Sequence, residues 1–156
     1  MNRLKPWGRG FTVLEILIVV LVFGLLATLS VLSLRSARLR LRDAQRISDV
    51  TVLRSTLSQY WLDKATYPAN GGVNLGQPGT KTDVFTSEGF AAAQEAKPVI
   101  YLPRVPTGPK ANEYYRYRGG ANGYSIRFQT ESETTFGKAN VFYAHANGVD
   151  GKDEEK

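Results

Sequence analysis

Nineteen consecutive residues, Ile16 to Leu34, carry no charged side chain, and this run limits what the chain can become more than any other feature. As a helix it would be about 28 Å long, close to the ~30 Å hydrocarbon thickness of a bilayer. Residues 1–10 hold Arg3, Lys5 and Arg9 and no acid, so basic residues lead directly into the apolar stretch. That order is a membrane-targeting pattern. A secretory signal would have an apolar region of roughly 7 to 15 residues ending in a small-x-small cleavage site. Here the run is longer and passes through Ser33, Ser36 and Ala37 into an Arg-rich helical pattern. A retained transmembrane helix is expected.

Glu15 sits at the mouth of this run, in Phe11-Thr12-Val13-Leu14-Glu15. A carboxylate at the bilayer centre costs roughly 2.5 to 3.5 kcal/mol. Either Glu15 lies at headgroup level, where the positive end of a helix favours an acid, or it pairs with a cation. A cut before Phe11 would create one, a free α-amine.

These residues resemble the class III signal of type IV pilins and type II secretion pseudopilins. The likeness covers about the first 35 residues: a basic leader, Gly10, Phe11, Thr12, Glu15 and a charge-free helix containing Gly24, all in register. The resemblance implies cleavage between Gly10 and Phe11 by a prepilin peptidase, with N-methylation of Phe11. It also implies that Glu15 meets the α-amine of a neighbouring subunit, so Phe11, Thr12 and Glu15 become the assembly residues. Many pilins kink this helix with a Pro about twenty residues after the cut. Here Leu32 stands in that neighbourhood and no Pro occurs between Pro6 and Pro68, which leaves Gly24, Thr28 and Ser30 as weaker breakers.

Orientation gives two opposed signals. Arg35, Arg38, Arg40, Arg42 and Arg46 beyond the run outnumber the three cations before it, which by the positive-inside rule would place the carboxyl end in the cytoplasm. A pilin-like leader is cut on the cytoplasmic face and implies the reverse. The motif is the more specific signal, so the expected location is a single pass through the inner membrane with the head outside the cytoplasm, followed by a periplasmic or extracellular filament.

From Arg35 to Lys64 no Pro intervenes, and Val50, Leu53, Leu57, Tyr60 and Trp61 recur on one helical face. Ser48, Thr51, Ser55, Ser58 and Gln59 fall on the other. The apolar stripe is expected to pack against the rest of the chain. The Arg cluster either anchors to anionic headgroups or pairs with acids of adjacent subunits, with Asp43 and Asp49 as candidates. Asp43-Ala44-Gln45-Arg46 through Tyr60, Asp63 and Tyr67-Pro68 extends the pseudopilin likeness.

Pro68 ends the helix, and Ala69 to Thr82 reads as a loop. Ser87 is expected to cap a short helix over Glu88 to Ala96. Pro98, Pro103, Pro106 and Pro109 forbid a long element around Val99 to Leu102, and a loop continues to Asn112. The period then changes to two. Tyr115 and Tyr117, a turn at Gly119 to Gly123, and Tyr124, Ile126 and Phe128 form a hairpin signal, with a third strand over Ala139 to Ala144.

Chemistry is sparse. The chain has no Cys and one His, His145, with no nucleophile, base and orienting group at a recognisable spacing. No enzyme is expected. Tyr114-Tyr115-Arg116-Tyr117-Arg118 interleaves aromatics with cations as single-strand binders do, yet losing the leader lowers the formal charge from +6 to +3. Nucleic acid is therefore not an expected partner. No cofactor is expected either. Asn147, Asp150 and Asp153 offer oxygen donors of the kind Ca²⁺ takes but lack EF-hand spacing. Pseudopilins of the major class hold calcium in an acidic, glycine-containing C-terminal loop, which this tail faintly resembles; a disordered charged tail is the other reading.

The expected organisation is a basic leader (1–10), a transmembrane and assembly helix (11–34), its amphipathic continuation (35–65) and a loop-rich head with an acidic tail (66–156). The fold class is α+β: a long helix packed on a small antiparallel sheet of about three strands. The expected function is a structural filament subunit of a type IV pilus or type II secretion pseudopilus. Its partners would be copies of itself or related subunits, the prepilin peptidase, an inner-membrane assembly platform and membrane lipid. The alternative is a single-pass anchored protein that binds a ligand or DNA and never polymerises.

Overall fold

The computed structural model describes residues 10–95 and 99–156. The cations of the leader, Arg3, Lys5 and Arg9, lie outside the described residues, as do Ala96 and Pro98. Helix α1 occupies Val13–Lys64, 52 residues without interruption. The chain divides between Arg38 and Leu39 into two compact units, each considered separately.

In the first unit every described residue is exposed, including Phe11, Leu14, Phe23 and Leu32. The helix is long and apolar enough to cross a membrane. Thr28 and Ser30, read as weak breakers, donate their hydroxyls to the carbonyls of Gly24 (2.9 Å) and Leu26 (2.8 Å) four residues back. Their polar groups are thus satisfied inside the helix, which stays regular through them.

The second unit packs the rest of α1 on two antiparallel sheets. Strands β1 (Asn70–Asn74), β5 (Arg116–Gly119), β6 (Tyr124–Gln129), β7 (Val141–Ala144) and β8 (Val149–Asp150) form one, in the order β1-β5-β6-β7-β8. Strands β2 (Val84–Thr86), β3 (Gly89–Ala91) and β4 (Ile100–Leu102) form the other, in the order β3-β2-β4. The three expected strands are β5, β6 and β7. Tyr117 faces Ile126 and Phe128 faces Phe142 across them. These residues, with Tyr115, Tyr124 and Ala144, make one core with Val50, Leu53, Leu57 and Tyr60 of the helix. The period of two on the sheet and of 3.6 on the helix thus meet in one layer of sheet on helix. Trp61, expected on the buried stripe, is 44% exposed, because it follows Tyr60 by one residue, about 100° around the helix.

Two local expectations fail. Over residues 88–95, the described part of the helix expected for Glu88 to Ala96, no α-helix forms; β2 turns into β3 at Ser87 and Glu88, and a 3₁₀ turn, Ala93–Glu95, follows. Gly89 has φ +106°, outside the helical region, and the Thr86 hydroxyl accepts the Glu88 amide at 3.2 Å to close the turn. Phe90 then reaches Phe85 and Tyr117, with ring centroids 4.6 and 5.0 Å away. Alanine propensity is outweighed by this aromatic burial. The stretch read as a loop from Ala69 contains β1, which pairs with β5 through a bulge between Asn70 and Val73.

Candidate functional site

Helix α1 begins with a reciprocal cap. The Thr12 hydroxyl accepts the Glu15 amide at 3.2 Å, and the Glu15 carboxylate, through Oε2, accepts the Thr12 amide at 3.3 Å. This is the capping box, Thr-x-x-Glu, which satisfies two backbone donors at once. The spacing was readable from the sequence. Glu15 is therefore an N-terminal helix acid with a defined bonding role, and its Oε1 has no partner among the described residues. Gly10 and Phe11 are exposed, Phe11 at 79%. Phe11, Thr12 and Glu15 thus gather within one exposed turn, at the start of an unbroken apolar helix.

The Arg cluster has a different fate from either expectation at two of its members. Arg42 forms a two-pronged bond to Glu131, both contacts at 2.9 Å. Arg46, 2% exposed, contacts Asp43 at 2.7 Å, Glu113 at 2.6 Å and Glu131 at 2.6 Å. Asp43 and Asp49, the acids considered for neighbouring subunits, are engaged within their own head. Asp43 accepts the amides of Glu131 and Ser132 and the Ser132 hydroxyl, and Asp49 accepts the Tyr115 hydroxyl at 2.8 Å. The reason is burial: a guanidinium removed from water needs carboxylates at hydrogen-bond distance on every side. Only the Asp43–Arg46 spacing of three residues hinted at this network in the sequence; Glu113 and Glu131 are too distant along the chain to be read.

Electrostatics follow the geometry. The Arg42 guanidinium first, then Lys110 and Arg46, hold the Glu131 carboxyl well below its usual range against the opposing effect of burial. Burial pushes Asp43 up, but the Ser132 hydroxyl, the Glu131 amide and Arg46 together bring it below normal. Burial raises Asp49, partly offset by Tyr115.

His145 is fully buried, with Nδ1 3.0 Å from the Tyr124 carbonyl and Nε2 3.2 Å from Asp150. Both ring nitrogens have partners. Tyr115 and Tyr117 are 1% and 0% exposed, so neither can stack on a base. Asn147 is exposed, and the described residues hold no group of three or more acidic or His side chains placed to bind a metal. The tail around Asp150 and Asp153 is not a loose segment, since β8 pairs with β7 and the Ala146 amide donates to the Lys156 carbonyl at 3.2 Å.

An exposed apolar helix with a capped acid at its start and a compact α+β head has known counterparts. Type II secretion system core protein G of Escherichia coli (strain K12) is 31% identical over 116 residues, covering 74% of this chain and 75% of the relative. The chain belongs to the type II secretion system core protein G family. The core protein G of Klebsiella michiganensis is 29% identical over 151 residues, 94% of this chain and 89% of that protein. That of Dickeya chrysanthemi is 29% identical over 155 residues, 92% and 94% respectively. The similarity to core protein G thus runs through head as well as helix, and the pseudopilin resemblance of the first residues holds for the chain as a whole. No family model matches the chain, and no solved structure matches it.

Proposed function

We propose that this protein is a structural subunit of a type II secretion pseudopilus, made as a membrane-anchored precursor, cut between Gly10 and Phe11 and polymerised through α1. The observation that carries this reading is the join of an exposed helical run without charge, residues 16–34, to a Thr12–Glu15 cap in a chain of the core protein G family. Before assembly the apolar helix rests in the inner membrane with the head outside the cytoplasm. In the filament, neighbouring helices replace lipid around the same side chains.

Glu15 sets axial register in this scheme. One carboxylate oxygen stays on the Thr12 amide of its own chain, and the other receives the α-amine that cleavage creates at a neighbour's Phe11. A charge pair shielded from water by surrounding helices is much stronger than one in solvent. The subunit works by assembling, not by catalysis, and its partners are further subunits, the prepilin peptidase and the assembly platform. Mass spectrometry of the membrane-extracted protein tests the first step. The expected amino terminus is an N-methylated Phe11; an intact Met1 in protein coexpressed with an active peptidase would refute it.

A further inference from the structure

Resemblance to the major pseudopilins implies a calcium site in an acidic C-terminal loop, and the residues present here do not fit one. Calcium takes six to eight oxygens converging at roughly 2.3 to 2.6 Å. In this chain the acidic oxygens diverge onto the chain's own donors. Asp150 Oδ1 accepts the Lys152 amide at 2.8 Å and faces His145, while Oδ2 meets the Lys156 ammonium at 3.0 Å. Glu154 meets the same ammonium at 2.9 Å. Asp153 splits between the Ser125 hydroxyl (2.9 Å) and Arg118 (3.2 Å), and Glu155 lies 3.6 Å from Arg118.

We infer that the Lys156 ammonium and the Arg118 guanidinium close this tail in place of a metal ion, making its docking independent of calcium. Lys156 bridges Asp150, at the end of β8, to Glu154 four residues on. Arg118, on β5, ties Asp153 and Glu155 across the sheet. The seat for this clamp is built into the β5–β6 turn. A Cβ at Gly123 would stand 2.6 Å from the Lys156 amide nitrogen and 2.8 Å from the Glu155 carbonyl carbon, and one at Gly120 would stand 2.8 Å from the Glu155 carboxylate. The Lys152 amide, then the Lys156 ammonium, bring the Asp150 carboxyl down to about 2. The inference concerns the folded head alone and holds whether or not the chain polymerises.

The full chain in detergent micelles, with and without about 1 mM CaCl₂ against EGTA, provides the test. The expected result is an unchanged melting midpoint and no saturable heat of binding in calorimetry. A calcium-dependent rise in the midpoint, or saturable binding, overturns the inference. Hydrogen exchange of the peptide containing Ala146 reads the clamp directly. Lys156→Ala should speed it about threefold or more, Lys156→Arg should restore it, and Gly123→Ala should speed it by displacing the tail from its seat. Unchanged exchange in both Lys156→Ala and Gly123→Ala overturns the inference even if calcium has no effect.

Discussion

A single carboxylate oxygen of Asp43, Oδ2, accepts both the backbone amide and the hydroxyl of Ser132, at 2.7 and 2.6 Å, across 89 residues of sequence. The loop after β6 is thereby fastened to α1. Asp43 also neutralises Arg46, so the helix and the loop depend on one buried side chain. Asp43→Ala leaves a buried guanidinium short of a partner and should destabilise the head by about 3 to 5 kcal/mol. Denaturant unfolding followed by far-UV circular dichroism measures it; a loss under about 1 kcal/mol would contradict the network's role.

Acid should weaken the same network. Glu131 and Asp43 both have carboxyls lowered in the folded state, so each contributes stability that is present above its unfolded pKa, about 4. That contribution falls away as pH drops from there through the folded values. Asp49, raised by burial, acts in the opposite sense and offsets a part of the loss. Stability measured between about pH 6 and pH 3 should fall steeply in the native chain and less steeply in Glu131→Gln.

Gly119 has no room for a side chain. An added Cβ would stand 2.1 Å from the Tyr117 hydroxyl and 2.7 Å from the Pro68 carbonyl, two groups that hydrogen-bond each other at 2.8 Å. Gly119→Ala should cost about 1 to 3 kcal/mol by forcing these apart. A thermal midpoint within error of the native value would show that the turn after the helix yields freely.

Glu15 can be tested for charge and cap separately. Glu15→Ala removes both, and is expected to insert into membranes normally while filament yield collapses. Glu15→Gln keeps an acceptor for the Thr12 amide but loses the charge, and should fail at assembly to a similar degree. Filaments from the Gln variant at native yield would reduce Glu15 to a helix cap and remove its part in setting register.

Processing has its own variant. Gly10→Val should block the cut and leave the leader attached, giving a heavier band and an intact mass that includes residues 1–10. Removal of the leader from this variant at the native rate would locate the scissile bond elsewhere.

The helix and the central hairpin were legible because their periods are long and their residues unambiguous: a charge-free run, then Val50, Leu53, Leu57 and Tyr60, then Tyr115 to Phe128 in alternation. The β2–β3 hairpin was not, because Ala91, Ala92 and Ala93 favour a helix locally while Phe90 decides the matter through contacts with Phe85 and Tyr117. Burial of that kind leaves no local mark. The N-terminal residues are recognisable as a group, and the Thr12–Glu15 cap shows in the sequence only as a spacing of three. The expectation that Arg42 and Arg46 meet lipid or neighbouring subunits fails for a related reason: their acidic partners, Glu131 and Glu113, are brought near only by the folded head.

The order β1-β5-β6-β7-β8 leaves two rims, and both are poor templates for another strand. At one rim the bulge between Asn70 and Val73 breaks the ladder's spacing; at the other, β8 is two residues long. Rims of this kind resist edge-to-edge pairing. In the filament proposed above, these rims would keep neighbouring heads from pairing strand to strand into amyloid-like stacks.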